Sequence, residues 1–200
     1  MDGVEQQVGM IVLESPYGTL TYGLRPEGYD SWVFQEQGGG GAVTLPYARI
    51  PSGELLVALI GERRANITTA DGIAWCVVGG FVDPGETHVQ AAAREFGEEV
   101  GRESVNTREL PGVPANSNRL FFATDVTAGE GVHAWSMDVP FDRLEPDPES
   151  DGCYRFRADA GVTLAKPVDK VRFFPWKEAV RLTPDALARS AIAQLLAEIL

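Results

Sequence analysis

The chain has 200 residues, 44% of them hydrophobic, and a formal net charge of −12. That length and apolar content suffice for a sizeable core and fit one main domain plus an extension better than two full domains. The acidic balance opposes nonspecific binding to nucleic acid or to an anionic membrane, since both rely on basic residues, and no run of about 18 apolar residues suggests a membrane span.

From the first residue, Met1 to Gln7 lacks the basic region and apolar stretch of a signal peptide, so the expected location is cytoplasmic. Met10 to Leu13, Leu20 to Leu24 and Trp32 to Gln35 are short runs of strand character separated by Gly and Pro. They end at Gln37-Gly-Gly-Gly-Gly41, which reads as a linker or a long turn. Strands are next expected at Ala42 to Tyr47, Leu55 to Ile60 and Trp75 to Val78, followed by a helix from Thr87 to Val100. Further strands are expected at Arg119 to Thr124, His133 to Val139, Tyr154 to Arg157 and Lys170 to Phe174. A last helix reads with Thr183 as its cap, Pro184 in the first turn, Asp185 complementing the dipole, and Leu187, Ile192, Leu195, Leu196 and Ile199 as its apolar stripe. Strands interleaved with a few helices argue for a mixed sheet sandwiched by helices. Cys76 and Cys153 lack motif spacing and read as reduced thiols, Cys76 as a buried structural one; neither His88 nor His133 has a companion at ligand spacing, and both read as incidental.

The chemistry concentrates in Gly80-Phe-Val-Asp-Pro-Gly-Glu86 and Arg94-Glu-Phe-Gly-Glu-Glu-Val-Gly101. Val89, Ala92, Ala93, Phe96 and Val100 repeat at a period near 3.6, which predicts an amphipathic helix packed on a sheet, and Thr87 with Gln90 makes a capping box. Glu95 and Glu99 fall one turn apart with Glu98 beside them, so three carboxylates share one edge of the helix. Like charges so spaced repel, and a cation between them relieves the repulsion; hard oxygen donors select Mg2+ or Mn2+ over zinc. Seven specified residues, each at a background of roughly 5 to 7%, coincide by chance about a few times in a billion starts, which sets aside a merely solvated acidic face. Gly97 inside the helix costs about 1 kcal/mol relative to alanine and marks a close approach or a functional reason.

The stretch from Gly80 to Arg102 resembles a Nudix box, the signature of hydrolases that cleave a nucleoside diphosphate linked to another moiety. The match runs through Gly80, Glu86, Arg94, Glu95, Phe96, Glu98, Glu99 and Gly101, and departs at Arg102, where the family prefers an aliphatic residue. The resemblance implies an α+β fold, the Nudix-type α/β/α sandwich with a mixed β-sheet, here preceded by a β-rich N-terminal segment. The expected division is an extension over 1–41, serving dimerisation or substrate contact, and a catalytic domain over 42–200. The resemblance also implies that Glu95, Glu98 and Glu99, with the backbone carbonyl of Gly79, hold Mg2+ (Mn2+ as a substitute), while Glu86 and Arg94 pair and orient the helix. Metals there neutralise the phosphates, lower the pKa of water and align attacker and phosphorus. For the base, Glu98, Glu130 and the acids of Glu145 to Asp151 stay open, the last group reading equally as a solvated loop.

Gly79 to Glu86 with Arg94 to Glu99, the β-rich start and the proline-rich Pro111-Gly-Val-Pro-Ala-Asn-Ser-Asn118 are similar to ADP-ribose pyrophosphatases, although Arg119 stands where many of those enzymes carry a glutamate. An ADP-ribose site wants an aromatic on adenine and arginines on the phosphates. Trp32, Trp75 and Trp135 are the stacking candidates, each also readable as a core side chain; Arg63, Arg64 and Arg119 are the phosphate candidates, the first two also readable as a solvated strand end. Met1 to Gln37 would pair or exchange with a second subunit in a homodimer, or form an extra hairpin on a monomer. Three activities are therefore in view: hydrolysis of ADP-ribose to AMP and ribose 5-phosphate, the same cleavage of NADH, a nucleotide sugar or a dinucleoside polyphosphate, and noncatalytic nucleotide binding. The intact carboxylates oppose the last, and no basic recognition helix is evident.

Overall fold

The computed structural model describes residues 10–16, 18–24, 30–36, 39–64, 72–101, 106–111, 115–116, 122–123, 131–165 and 167–200. The chain opens with three antiparallel strands, β1 (Met10–Ser15), β2 (Gly18–Leu24) and β3 (Asp30–Glu36), which form a sheet of their own in the order β1-β2-β3. A larger mixed sheet follows. It contains β4 (Gly40–Arg49), β5 (Leu55–Glu62), β6 (Ala74–Cys76), β7 (Val78–Phe81), β8 (Thr107–Glu109), β9 (Ala115–Asn116), β10 (Phe122–Ala123), β11 (Gly131–Asp138), β12 (Leu144–Pro146), β13 (Tyr154–Phe156) and β14 (Val168–Pro175). Its main path is β10-β9-β11-β4-β5-β14-β13-β12, with β11 parallel to β4 and β5 antiparallel to both β4 and β14. Three helices complete the fold: α1 (His88–Val100), α2 (Trp176–Leu182) and α3 (Ala186–Ile199).

Strand β5 is buried along its whole length, as a strand covered on both faces must be, and its alternate residues go to opposite layers. Leu56, Ala58 and Ile60 join Phe96 and Val100 of α1 in one core, whereas Val57 and Leu59 join Ala179 of α2 and Ala188, Ala191, Ile192 and Leu195 of α3 in the other. The result is the expected α/β/α sandwich around a mixed sheet. Among the described residues no helix is long and apolar enough to cross a membrane.

Several local expectations change. In the glycine run, Gly40 and Gly41 are strand residues rather than linker: a Cβ on Gly40 would lie 2.0 Å from the Gly131 carbonyl oxygen, and one on Gly41 2.8 Å from that of Gly80. Only glycine lets these backbones approach so closely. On α1 the buried face is Ala91, Ala92, Phe96 and Val100, whereas Val89 is 56% exposed and Ala93 faces solvent. The buried arc is thus rotated toward Glu95 and Glu99, which the periodicity of apolar residues alone conceals. Helix α2 escapes the sequence because it is short and has no side-chain cap. The N-cap of α3 is Asp185, whose Oδ1 accepts from the Leu187 amide at 2.8 Å. Thr183 is instead the C-cap of α2, its hydroxyl donating to the Trp75 carbonyl oxygen at 2.6 Å.

Candidate active site

Helix α1 starts where the sequence places it. Thr87 and Gln90 form the reciprocal capping box, and Gly101 closes the helix in the left-handed conformation with φ 68°. Strand β7 runs beneath the helix. A Cβ on Gly80 would meet Glu95 Oε1 at 2.3 Å, so the absent side chain is the space the Glu95 carboxylate occupies. The Gly79 amide donates to Glu99 Oε2 at 3.1 Å. Glycine is required at 79 as well, with φ 150° and a virtual Cβ 2.1 Å from the Ala42 carbonyl oxygen.

Arg94 ties the site together. Its Nε and Nη2 donate to the two oxygens of Glu86, each at 3.0 Å, in the bidentate geometry that makes arginine–carboxylate pairs strong. Nη1 donates to Glu95 Oε1 at 2.7 Å and to Glu98 Oε2 at 3.3 Å, and Nη2 also reaches the Phe81 carbonyl oxygen at 2.8 Å. Glu86 in turn accepts from the Asp83 amide at 3.0 Å, which locks the turn before α1 to the helix. The hydrogen bonds from Arg94 hold the Glu86 carboxyl below its ordinary pKa.

Glu95 and Glu99 are in the opposite situation. Burial raises the Glu95 pKa against the pull of Arg94. Burial pushes Glu99 up to about 8, helped by the nearby charges of Glu62 and Glu95, and the Gly79 amide offsets only part of this. Two half-buried carboxylates with too little positive charge beside them are a site in want of a cation. Glu98 stands apart from them, with a side chain 60% exposed and resting on Arg94. The three carboxylates therefore do not converge, and among the described residues no three carboxylate, imidazole or thiol groups are placed to hold one ion. At 3.6 residues per turn Glu98 lies about 60° round the axis from Glu95 and about 100° from Glu99, so the rotation that buries the pair leaves it outside.

Glu62 is a component the sequence reading missed. It ends β5 and is 4% exposed, with Arg64 Nε donating to its Oε1 at 2.6 Å. An acid closing an otherwise apolar strand was the available signal. Of the arginines expected at phosphates, Arg64 is committed to Glu62, and Arg63, 67% exposed, pairs with Asp169 at 3.2 Å. Trp75 is a core residue packed edge-on to Phe174 at 4.9 Å, and Trp135 is buried with Ala42, Val82, Ala91 and Ala92. Neither tryptophan offers a face for stacking. Trp32 lies in β3; Arg119 and Glu130 lie outside the described residues. In the acidic loop, Asp147 and Glu149 accept from Arg172 and Lys170, each at 2.5 Å. A cleft of about 370 Å³ opens there, lined by Arg155, Arg157, Lys170 and Arg172 among others, but it does not include Glu95 or Glu99. Its cations are already paired with acids.

Gly97 has no close neighbour among the described residues: a Cβ there meets nothing of them within 4 Å. The close approach inferred from the sequence is absent. Gly97→Ala is therefore expected to stabilise the protein by about 0.5–1 kcal/mol through helix propensity, measured by urea unfolding.

A family profile described as NUDIX domain matches residues 50–196. No curated protein sequence matches the chain. Among solved structures, the NUDIX domain of Shewanella oneidensis NrtR complexed with ADP ribose is 15% identical with a TM-score of 0.51, over 80% of this chain and 87% of that one. A C. elegans Ap4A hydrolase binary complex is 18% identical with a TM-score of 0.49, over 80% and 97% of the two chains. The M. Smegmatis Nudix hydrolase RenU is 18% identical with a TM-score of 0.48, over 89% and 92%.

Proposed function

Because this chain belongs to the Nudix family, we propose that it is a divalent-metal-dependent pyrophosphohydrolase that cleaves ADP-ribose to AMP and ribose 5-phosphate. The observation that carries the reading is the pair Glu95 and Glu99, half-buried on α1 against Gly79 and Gly80 with a surplus of negative charge. The donor set fits Mg2+, which takes hard oxygens and is commonly held by one or two carboxylates together with substrate phosphates. Glu95, Glu99 and the Gly79 carbonyl would hold it, and Mn2+ would substitute. When bound, the metal neutralises phosphate oxygens and lowers the pKa of attacking water.

The rest falls to the protein. Arg94 fixes the orientation of Glu95, and Glu86 fixes Arg94, so the helix edge facing the substrate is held before substrate arrives. The Gly79 amide keeps Glu99 turned to β7. Glu98 is the base we favour among the described candidates: it shares α1 with the pair, is 60% exposed, and holds a longer contact, 3.3 Å, than the 2.5 Å ion pairs of Asp147 and Glu149. It would accept the proton of the attacking water. Glu98→Gln should lower kcat by about 10²–10⁴-fold with the fold and Mg2+ affinity retained. A variant that keeps kcat moves the role to Glu130 or another acid.

The ADP-ribose assignment is supported by the sequence resemblance of Gly79–Glu86 and Arg94–Glu99. Product analysis with Mg2+ and a panel of ADP-ribose, NADH, ADP-glucose and diadenosine polyphosphates tests it. AMP and ribose 5-phosphate released from ADP-ribose in preference to cleavage of the others is the expected result. Preferential cleavage of another member keeps the reaction and discards the substrate, while binding without turnover would favour the noncatalytic module.

We also propose that the N-terminal sheet pairs with a second copy of the chain and that the location is cytoplasmic. Edge strand β1 exposes Met10, Ile11, Val12 and Leu13 by 47–65%, an apolar strip of a kind that edge strands seldom leave uncovered. Light scattering should give a dimer mass, and Ile11→Lys with Leu13→Lys should give the monomer. A monomeric wild-type chain would refute the pairing.

A further inference from the structure

At the start of α1, two imidazoles distant in sequence come together. His88 opens the helix and His133 lies in β11, with ring centroids 4.1 Å apart and planes inclined by 42°. One nitrogen of each ring meets an oxygen acceptor. His88 Nε2 lies 3.1 Å from the Gly131 carbonyl oxygen, and His133 Nδ1 lies 2.8 Å from Glu109 Oε1. A carbonyl and an ionised carboxylate only accept, so these are the protonated nitrogens, as the hydrogen-bond network assigns them. One lone pair then remains on each ring, at His88 Nδ1 and His133 Nε2. The latter is buried and has no hydrogen-bond partner among the described residues.

A buried basic nitrogen without a donor costs free energy and calls for an explanation. Metal-bound imidazoles supply one, because they donate the outer N–H to a carboxylate or a backbone carbonyl and turn the other nitrogen to the ion. Both outer contacts are present here. We propose that His88 and His133 form a binding site for a divalent transition-metal ion of the zinc type, with Glu109 and the Gly131 carbonyl orienting the two rings. Imidazole favours zinc, copper and nickel over magnesium, so this site and the oxygen site at Glu95 and Glu99 select different ions. Two imidazoles on one tetrahedral ion at about 2.0–2.1 Å place their ring centres roughly 5 Å apart, so the pair has to open by about 1 Å. Water would complete the coordination. Burial, and then the neighbouring His133, lower the His88 pKa, which favours the neutral ligand form.

The ion would join α1 to β11 about 10 Å along the helix from Glu95. It would staple the first turn of the helix that carries the catalytic carboxylates, and it requires neither the proposed substrate nor the proposed reaction.

The test is zinc binding by the full chain, measured by calorimetry in saturating Mg2+, with Cu2+ electron paramagnetic resonance to count nitrogen ligands. The wild type should bind one zinc per chain and show two nitrogen couplings. His88→Gln and His133→Gln should each weaken binding by at least about 100-fold and leave one coupling, Glu109→Ala should weaken it about 10–100-fold, and Glu99→Gln should leave it unchanged. Glu109 is 55% exposed, so its variant serves if a histidine variant fails to fold. No zinc binding by the wild type, unchanged affinity in a folded histidine variant, loss in Glu99→Gln, or copper without nitrogen coupling overturns the site.

Discussion

Glu99→Gln should reduce turnover by about 10³-fold or more while making the metal-free protein more stable at alkaline pH. The loss follows from removing one of the two half-buried carboxylates beside β7, since metal stabilisation of the transition state is worth several kcal/mol. The gain follows from linkage. Burial raises the folded-state pKa of Glu99 from 4.5 to about 8, so between those values the folded protein holds a proton that the unfolded chain has released. Stability from this group is complete below the unfolded pKa and declines as pH rises through the folded one. Melting temperatures in EDTA should therefore fall between about pH 5 and pH 9 in the wild type, and fall less in Glu99→Gln. Mg2+ should restore the wild type at the alkaline end by binding the folded state, release close to one proton near neutral pH, and have a much smaller effect on the variant. Flat wild-type melting across that range would sink the linkage half of the argument, and undiminished turnover in the variant the catalytic half.

Much of this site was readable because it is local. The capping box of Thr87 and Gln90, the span of α1 and the left-handed Gly101 depend on residues within a turn or two of one another. The pairing of Glu86 with Arg94, expected from the family resemblance, is present in bidentate form. What was hidden depends on the sheet. Spacing places Glu95, Glu98 and Glu99 on one edge, but which of them is buried depends on how α1 is rotated about its axis, and that is set by Phe96 and Val100 packing on β5 and its neighbours. Glu62 and Arg64, at the end of β5, act on the Glu99 carboxyl, a proximity that no local pattern encodes. Trp75 and Trp135 carry the aromatic faces a nucleotide site wants, yet strand pleat sends both inward. The meeting of His88 and His133 is likewise a product of topology, because β11 lies beside β4 on the face that α1 covers.

Arg94→Lys should separate orientation from charge. Lysine keeps the positive charge but cannot place two donors on Glu86 while a third nitrogen reaches Glu95, which is the geometry that arginine has here. Glu86, 15% exposed, and Glu95, 16% exposed, would then share one mobile ammonium, and Glu95 would lose the contact that fixes its rotamer over Gly80. Groups that orient metal ligands typically contribute 10–100-fold in affinity or activity, so turnover at fixed Mg2+ should fall by about that factor. The diagnostic is where the loss appears. If Arg94 acts through Glu95, the apparent Mg2+ requirement rises and excess metal recovers much of kcat; if it touches the substrate instead, the loss resides in KM for the nucleotide and metal does not repair it. A third result, melting lowered by several degrees with kinetics unchanged, would make Arg94 a brace between the Asp83–Glu86 turn and α1 with no part in positioning the metal ligands.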